Sequence, residues 1–201
     1  MASEMNRNSS PVVVLGENRV TSSATGFQFI GSIEKDLCNF HKTGKDLMDC
    51  LQEKGCEVDL YASDLLKSRS ALLEIDSELY LYQGCPIDLG LNDHSSMTDI
   101  AKVGKKVGLC LFSPHKMALA GIHYTPPEGS RNIIAMLPQT KGTSLPYIFC
   151  LQSLRSHKHL TAFYIATGQR FDPCTSLMFW SLESSNVVMA RLAELKQALS
   201  G

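Results

Sequence analysis

The stretch at residues 107–124 constrains this chain most. It reads Val-Gly-Leu-Cys-Leu-Phe, then Ser-Pro-His-Lys, then Met-Ala-Leu-Ala-Gly-Ile-His-Tyr. It is the most continuously apolar part of the sequence, so burial of this segment has to organise the core. Ser113 and Pro114 cut it in two. That pair starts a helix, with Ser as cap and Pro at the first position, or turns the chain into a further strand; the local signals allow both. Its first part, 107–112, reads as a strand.

The chain upstream alternates between two periods. Residues 11–15 form a β-branched run ended by Gly16, and a short strand is expected around Phe27 and Phe29. Helix is expected over 33–54 in two pieces, with a break at Thr43-Gly44 and a stop at Gly55. The alternation of Val58 and Leu60 against Asp59 and Tyr61 predicts a half-buried strand at 57–62, followed by a helix at 64–73 capped by Ser63. A third strand covers 78–83, and Ser95 or Ser96 caps a helix that ends at Gly104.

Downstream the pattern becomes strand-rich. Segments 132–137, 147–151, 159–166 and 176–182 carry Ile, Phe, Tyr, Thr and Cys between Gly-, Pro- and Ser-containing connections. They predict an antiparallel meander. A closing helix at 187–199 places Val188, Leu192, Leu195 and Leu199 on one stripe. The fold class that follows is α+β. It has a mixed sheet, a βαβαβ-like first half and an antiparallel C-terminal meander closed by a C-terminal helix. The expected core is Val13, Leu15, Val58, Leu60, Leu79, Leu81, Leu109, Leu111, Ile134, Phe149, Phe163, Ile165 and Phe179.

A length of 201 residues suits a single compact α+β domain over 11–201, preceded by a mobile polar tail at 1–10. A net charge of −1 with scattered Lys and Arg argues against a nucleic-acid partner, which requires a basic face. Seven cysteines, an odd number without a C-x-x-C, predict reduced thiols and no structural zinc. No signal-peptide pattern opens the chain, and no run reaches the ~18–20 apolar residues of a membrane span. The expectation is an intracellular protein, cytoplasmic or nuclear, that does not insert into membranes.

Three kinds of catalytic motif can be weighed. Gly44-Lys45 and Gly104-Lys105 lack the glycine and hydroxyl spacing of a phosphate loop, and no G-x-G-x-x-G occurs. Gly108-Leu109-Cys110 at a strand end resembles the nucleophile elbow of class I glutamine amidotransferases, but Phe112 stands where that turn requires glycine. His123-Tyr124-Thr125 and His159-Leu160-Thr161 are two H-x-T triplets. They resemble the signature of two-histidine phosphoesterases. That resemblance implies a phosphodiesterase with one histidine as general base, the other as general acid, and Thr125 and Thr161 holding a phosphate oxygen. His157 and His159 would need His115 or His123 as a third metal ligand, and no metal or cofactor is expected.

The leading expectation is a non-catalytic protein–protein interaction or assembly subunit, with a homodimer as one form of it. Met178, Trp180, Met189, Leu192 and Leu195 are its candidate contact residues, because Met and Trp are enriched at interfaces and a C-terminal Leu stripe can dock on a second copy. The phosphodiesterase with His123, Thr125, His159 and Thr161 is the alternative, and it requires both imidazoles to line one cleft.

Overall fold

The computed structural model describes residues 26–40, 43–67, 77–128, 133–136, 147–155, 157–165 and 168–200. The expected tail at 1–10 and strand at 11–15, with Val13 and Leu15, lie outside them. So do the last residues of the expected helix at 64–73.

The described chain begins with β1 (Gln28–Ile33), α1 (Lys35–Phe40), α2 (Gly44–Glu53), β2 (Cys56–Val58), α3 (Leu60–Lys67) and β3 (Leu79–Gly84). A 3-10 turn at Pro86–Leu89 follows, then β4 (Ser95–Ser96), α4 (Met97–Lys106) and α5 (Pro114–His123). The rest is β5 (Ile133–Met136), β6 (Tyr147–Leu154), β7 (His157–Tyr164), β8 (Arg170–Phe171), β9 (Leu177–Ser181) and α6 (Ser185–Ser200). The fold is α+β. Seven of the described strands make one mixed sheet in the order β1-β3-β9-β5-β6-β7-β2, and β4 pairs with β8.

Side-chain alternation assigns the two faces of the large sheet. Leu79 and Leu81 of β3, Phe149 and Leu151 of β6, Leu160 and Ala162 of β7 and Met178 of β9 share one core. Leu47 and Leu51 of α2, Ala62 and Leu66 of α3, and Met117 to Ile122 of α5 close it from above. Tyr82, Ile148, Leu177 and Phe179 point the other way, into a second core with Ile100 of α4 and with Val188 and Leu192 of α6. The sheet is therefore covered on both faces.

The central apolar stretch folds as only half a helix-and-strand pair. Ser113 caps α5 by accepting from the Lys116 amide, and Pro114 occupies the first position, which settles 113–124 as helix. Residues 107–112 are not a ladder strand. Gly108 turns the chain at φ 87°, and a single bridge joins Cys110 to Trp180, with N–O distances of 2.8 and 3.1 Å. α4 runs through Gly104 rather than stopping there, and ends at Val107 and the left-handed Gly108.

Other expectations shift for identifiable reasons. Ile33 belongs to β1 and not to the following helix. The strand expected at 57–62 ends at Val58, because Asp59 rather than Ser63 caps α3. Leu60, expected in the core, is 83% exposed. Phe163, also expected there, is exposed on the sheet face opposite Leu160 and Ala162. Leu79, Leu81, Leu109, Phe149 and Phe179 are buried as expected, while Val58, Leu111 and Ile165 are half-buried. Ile134 lies in β5, with its side chain outside the described part. β5, β6 and β7 do form an antiparallel meander. The fourth strand, β9, leaves it to insert between β3 and β5, antiparallel to the first and parallel to the second.

Candidate functional site

Asp59 fixes the part of the surface that stands out chemically. One carboxylate oxygen accepts from the Ala62 amide at 2.7 Å and caps the first turn of α3. The other accepts from the Ala162 amide of β7 at 3.2 Å. A single side chain thus starts the helix and ties its start to the sheet. Leu60 and Tyr61 follow at once, on the outward side of that first turn, and both are exposed.

Two more aromatic side chains join Tyr61. Tyr147 of β6 and Tyr164 of β7 are direct cross-strand partners. Their ring centroids lie 4.1 Å apart and their hydroxyls are hydrogen-bonded to each other. That hydrogen bond is the chief reason the Tyr147 hydroxyl is pushed up to about 12. Tyr61 packs edge-on against Tyr164 at 6.2 Å. Aromatic pairs in these geometries hold one another in place beyond what simple area burial gives. The result is a stacked group of Tyr61, Tyr147 and Tyr164, next in sequence to the exposed Leu60. Exposed apolar clusters of this composition mark contact sites more often than scattered single residues do.

The residues singled out from sequence lie elsewhere. Met178 is fully buried in the first core and Leu192 is 1% exposed in the second. Leu195 and Met189 are half-buried against that second core. Trp180 donates from Nε1 to the Leu111 carbonyl at 2.8 Å, under the Lys116 ammonium. Met178 and Leu192 are thus packed inside the chain's own layers, and Trp180, Met189 and Leu195 are partly so.

The two H-x-T triplets do not converge. His123 is the last residue of α5, on the face where Tyr124 reaches Gln83 at 3.3 Å. On β7, Lys158 and Leu160 point toward α5, so His159 and Thr161 between and beyond them point to the opposite face. There His159 Nδ1 lies 3.2 Å from a Glu57 carboxylate oxygen. Thr125 is exposed just past α5. The sheet itself separates His123 and Thr125 from His159 and Thr161, which removes the shared cleft the phosphodiesterase reading requires.

Sequence reasoning missed one further group, the buried Lys158. Its Nζ donates to the Gly121 carbonyl at 2.8 Å, satisfying an orphan acceptor in the last turn of α5. Burial lowers its affinity for a proton, and Lys54 adds to this, while the thiols of Cys56 and Cys50 oppose it. Cys56 is itself pushed up to about 11, mainly by burial. The folded protein therefore loses the Lys158 proton at lower pH than the unfolded chain, whose value is near 10.5. Across that window the unfolded state binds more protons, so stability rises with pH. Urea titrations of wild type and Lys158→Met from about pH 8 upward should show wild type gaining on the variant as pH approaches 10.5. A constant difference would contradict the burial of this amine.

Among the described residues, no three His, Cys, Asp or Glu side chains gather as metal ligands, and no helix is long and apolar enough to cross a membrane. No protein-family model, curated protein or solved structure matches the chain.

Proposed function

We propose that this chain is a non-catalytic interaction or assembly subunit. Its contact surface is the Leu60, Tyr61, Tyr147 and Tyr164 cluster, which replaces the residues first expected for that role. The observation that carries the reading is that large apolar side chains at the start of α3 stay exposed, with Leu60 at 83% and Tyr61 at 58%, while Tyr61 packs on Tyr164, which in turn packs on Tyr147. Preordered tyrosines lose little side-chain entropy on binding, which suits them to a docking surface.

Self-association is the simplest form of this reading. Sedimentation of wild type over a wide concentration range should show a reversible oligomer that Tyr61→Ala with Tyr164→Ala shifts to monomer. The thermal midpoint should stay within a few degrees, because exposed positions contribute little to folding. A photo-crosslinking residue at position 61 extends the test to a different partner in cells. It should give discrete adducts where the same residue at exposed Lys102 on α4 gives none. A wild type that stays monomeric, together with equal labelling at both positions, overturns the proposal.

A further inference from the structure

Two cysteines lie at one backbone corner beside the β3–β9 ladder. Cys85 follows β3 directly and Cys174 lies in the turn before β9. Gly84 and Leu177 are paired in the β3–β9 ladder, one residue before Cys85 and three after Cys174. The Ile87 amide donates to the Pro173 carbonyl at 3.0 Å, so hydrogen bonds bracket the two cysteines on both sides. Cys85 Sγ donates to the Cys174 carbonyl at 3.3 Å. The remaining local bonds hold the same corner: Asp88 accepts from the Cys85 amide and Asp172 from the Cys174 amide, each at 2.8 Å.

We propose that Cys85 and Cys174 form a reversible disulfide when the protein meets a hydroperoxide. Both residues are reduced in the structure. The Cys85 sulfur already touches the Cys174 backbone, and the exposed Cys174 side chain would turn toward it to close the bond. Cys174 is exposed and attacks first. Its thiolate takes the distal oxygen of the hydroperoxide, the O–O bond breaks, and the departing oxygen leaves as hydroxide or alkoxide with the peroxide's electron pair. The product is a sulfenic acid on Cys174. Partial burial disfavours the Cys85 thiolate, the nearby Asp88 and Asp172 carboxylates add to this, and Cys85 acts as the resolving group. Its sulfur attacks the sulfenic sulfur and the S–O bond breaks. Its proton leaves with the hydroxyl as water. With hydrogen peroxide, two thiols and one peroxide give one disulfide and two waters. A dithiol reverses the bond.

Cys110 supplies an internal comparison, since it too is an exposed thiol, on the bridge to Trp180. Exposure alone would oxidise Cys110 and Cys174 alike, whereas the neighbouring Cys85 singles out Cys174.

The test uses the full chain and hydrogen peroxide, followed by alkylation in denaturant and peptide mapping without reductant. Untreated protein should give seven alkylated cysteines, and oxidised protein five together with one Cys85–Cys174 peptide. Dithiothreitol should restore all seven. The bridge joins residues 89 positions apart, so the oxidised protein should also melt higher than the reduced one. Cys174→Ser, a substitution at an exposed position, should abolish both the peptide and the melting shift. The proposal is overturned if Cys174 ends as a sulfinic acid or bridged to a second chain. It is equally overturned if another cysteine pair cross-links first or if all seven thiols survive.

Discussion

Replacing Leu192 and Leu195 together by Asp should unfold the protein rather than release a folded monomer. Leu192 is buried beneath α6 among Val188, Phe179 and Leu109, and Leu195 packs on the same cluster. Losing one buried Leu side chain costs about 1.5–3 kcal/mol in apolar transfer alone. Putting a carboxylate in its place adds the desolvation of a charge with no partner. The sum reaches about 5 kcal/mol or more, comparable with the whole stability of an ordinary domain. Circular dichroism and urea titration should show loss of the cooperative transition. Val187→Asp is the matched control: Val187 is exposed in the first turn of the same helix, where an acidic residue favours the helix dipole, so the change should stay within about 0.5 kcal/mol. A folded, soluble double variant would mean that α6 serves an interface after all, contrary to the burial of Leu192.

What was legible in the sequence is what local chemistry alone determines. Leu47 and Leu51 sit one helical turn apart behind a Thr43 that caps α2 through a reciprocal box with Asp46, so this helix reads directly from its residues. Ser96 and Asp99 do the same for α4. In β3 the alternation of Leu79 and Leu81 with Tyr80 and Tyr82 signalled the strand. It concealed that both faces are covered, since Tyr82 is as buried as its neighbours. The misses arise where two local signals compete and a distant residue decides. Asp59 and Ser63 are both good caps; Asp59 prevails because it also holds the Ala162 amide, more than a hundred positions away. That one choice moves Leu60 from the core to the surface and creates the tyrosine cluster. The run at 107–112 has strand composition, yet among the described residues its ladder contact is limited to the Trp180 bridge, because β3 takes one edge of β9 and β5 takes the other at Leu177 and Met178. The placement of the histidine triplets was illegible for a related reason: a triplet carries no information about which side of a sheet it will meet.

The second large effect is expected at Gly44, the first residue of α2. Substituting Ala for Gly in a helix is ordinarily favourable, by up to about 1 kcal/mol. Here a Cβ would lie 2.0 Å from the Leu66 carbonyl oxygen and 2.7 Å from its carbon. Both are backbone atoms of α3, so no rotamer can move aside, and the two helices must separate. Each carries its share of the first core, Leu47 and Leu51 on α2 and Leu66 on α3. Forcing them apart loosens contacts well beyond position 44, and Gly44→Ala should cost about 3 kcal/mol despite its helix propensity. Gly55→Ala isolates the other kind of glycine requirement. Gly55 has a φ of +69° and nothing within 4 Å of its added Cβ, so only the left-handed backbone is penalised, by about 1–2 kcal/mol. Urea denaturation of the two variants should rank Gly44→Ala clearly below Gly55→Ala, and the reverse order would refute the close α2–α3 approach. The same displacement bears on the docking surface, because α3 carries Leu60 and Tyr61 while Tyr164 stays with the sheet. Gly44→Ala should therefore weaken any association through that surface even at temperatures where the chain remains folded, whereas Gly55→Ala, which leaves α3 in place, should not.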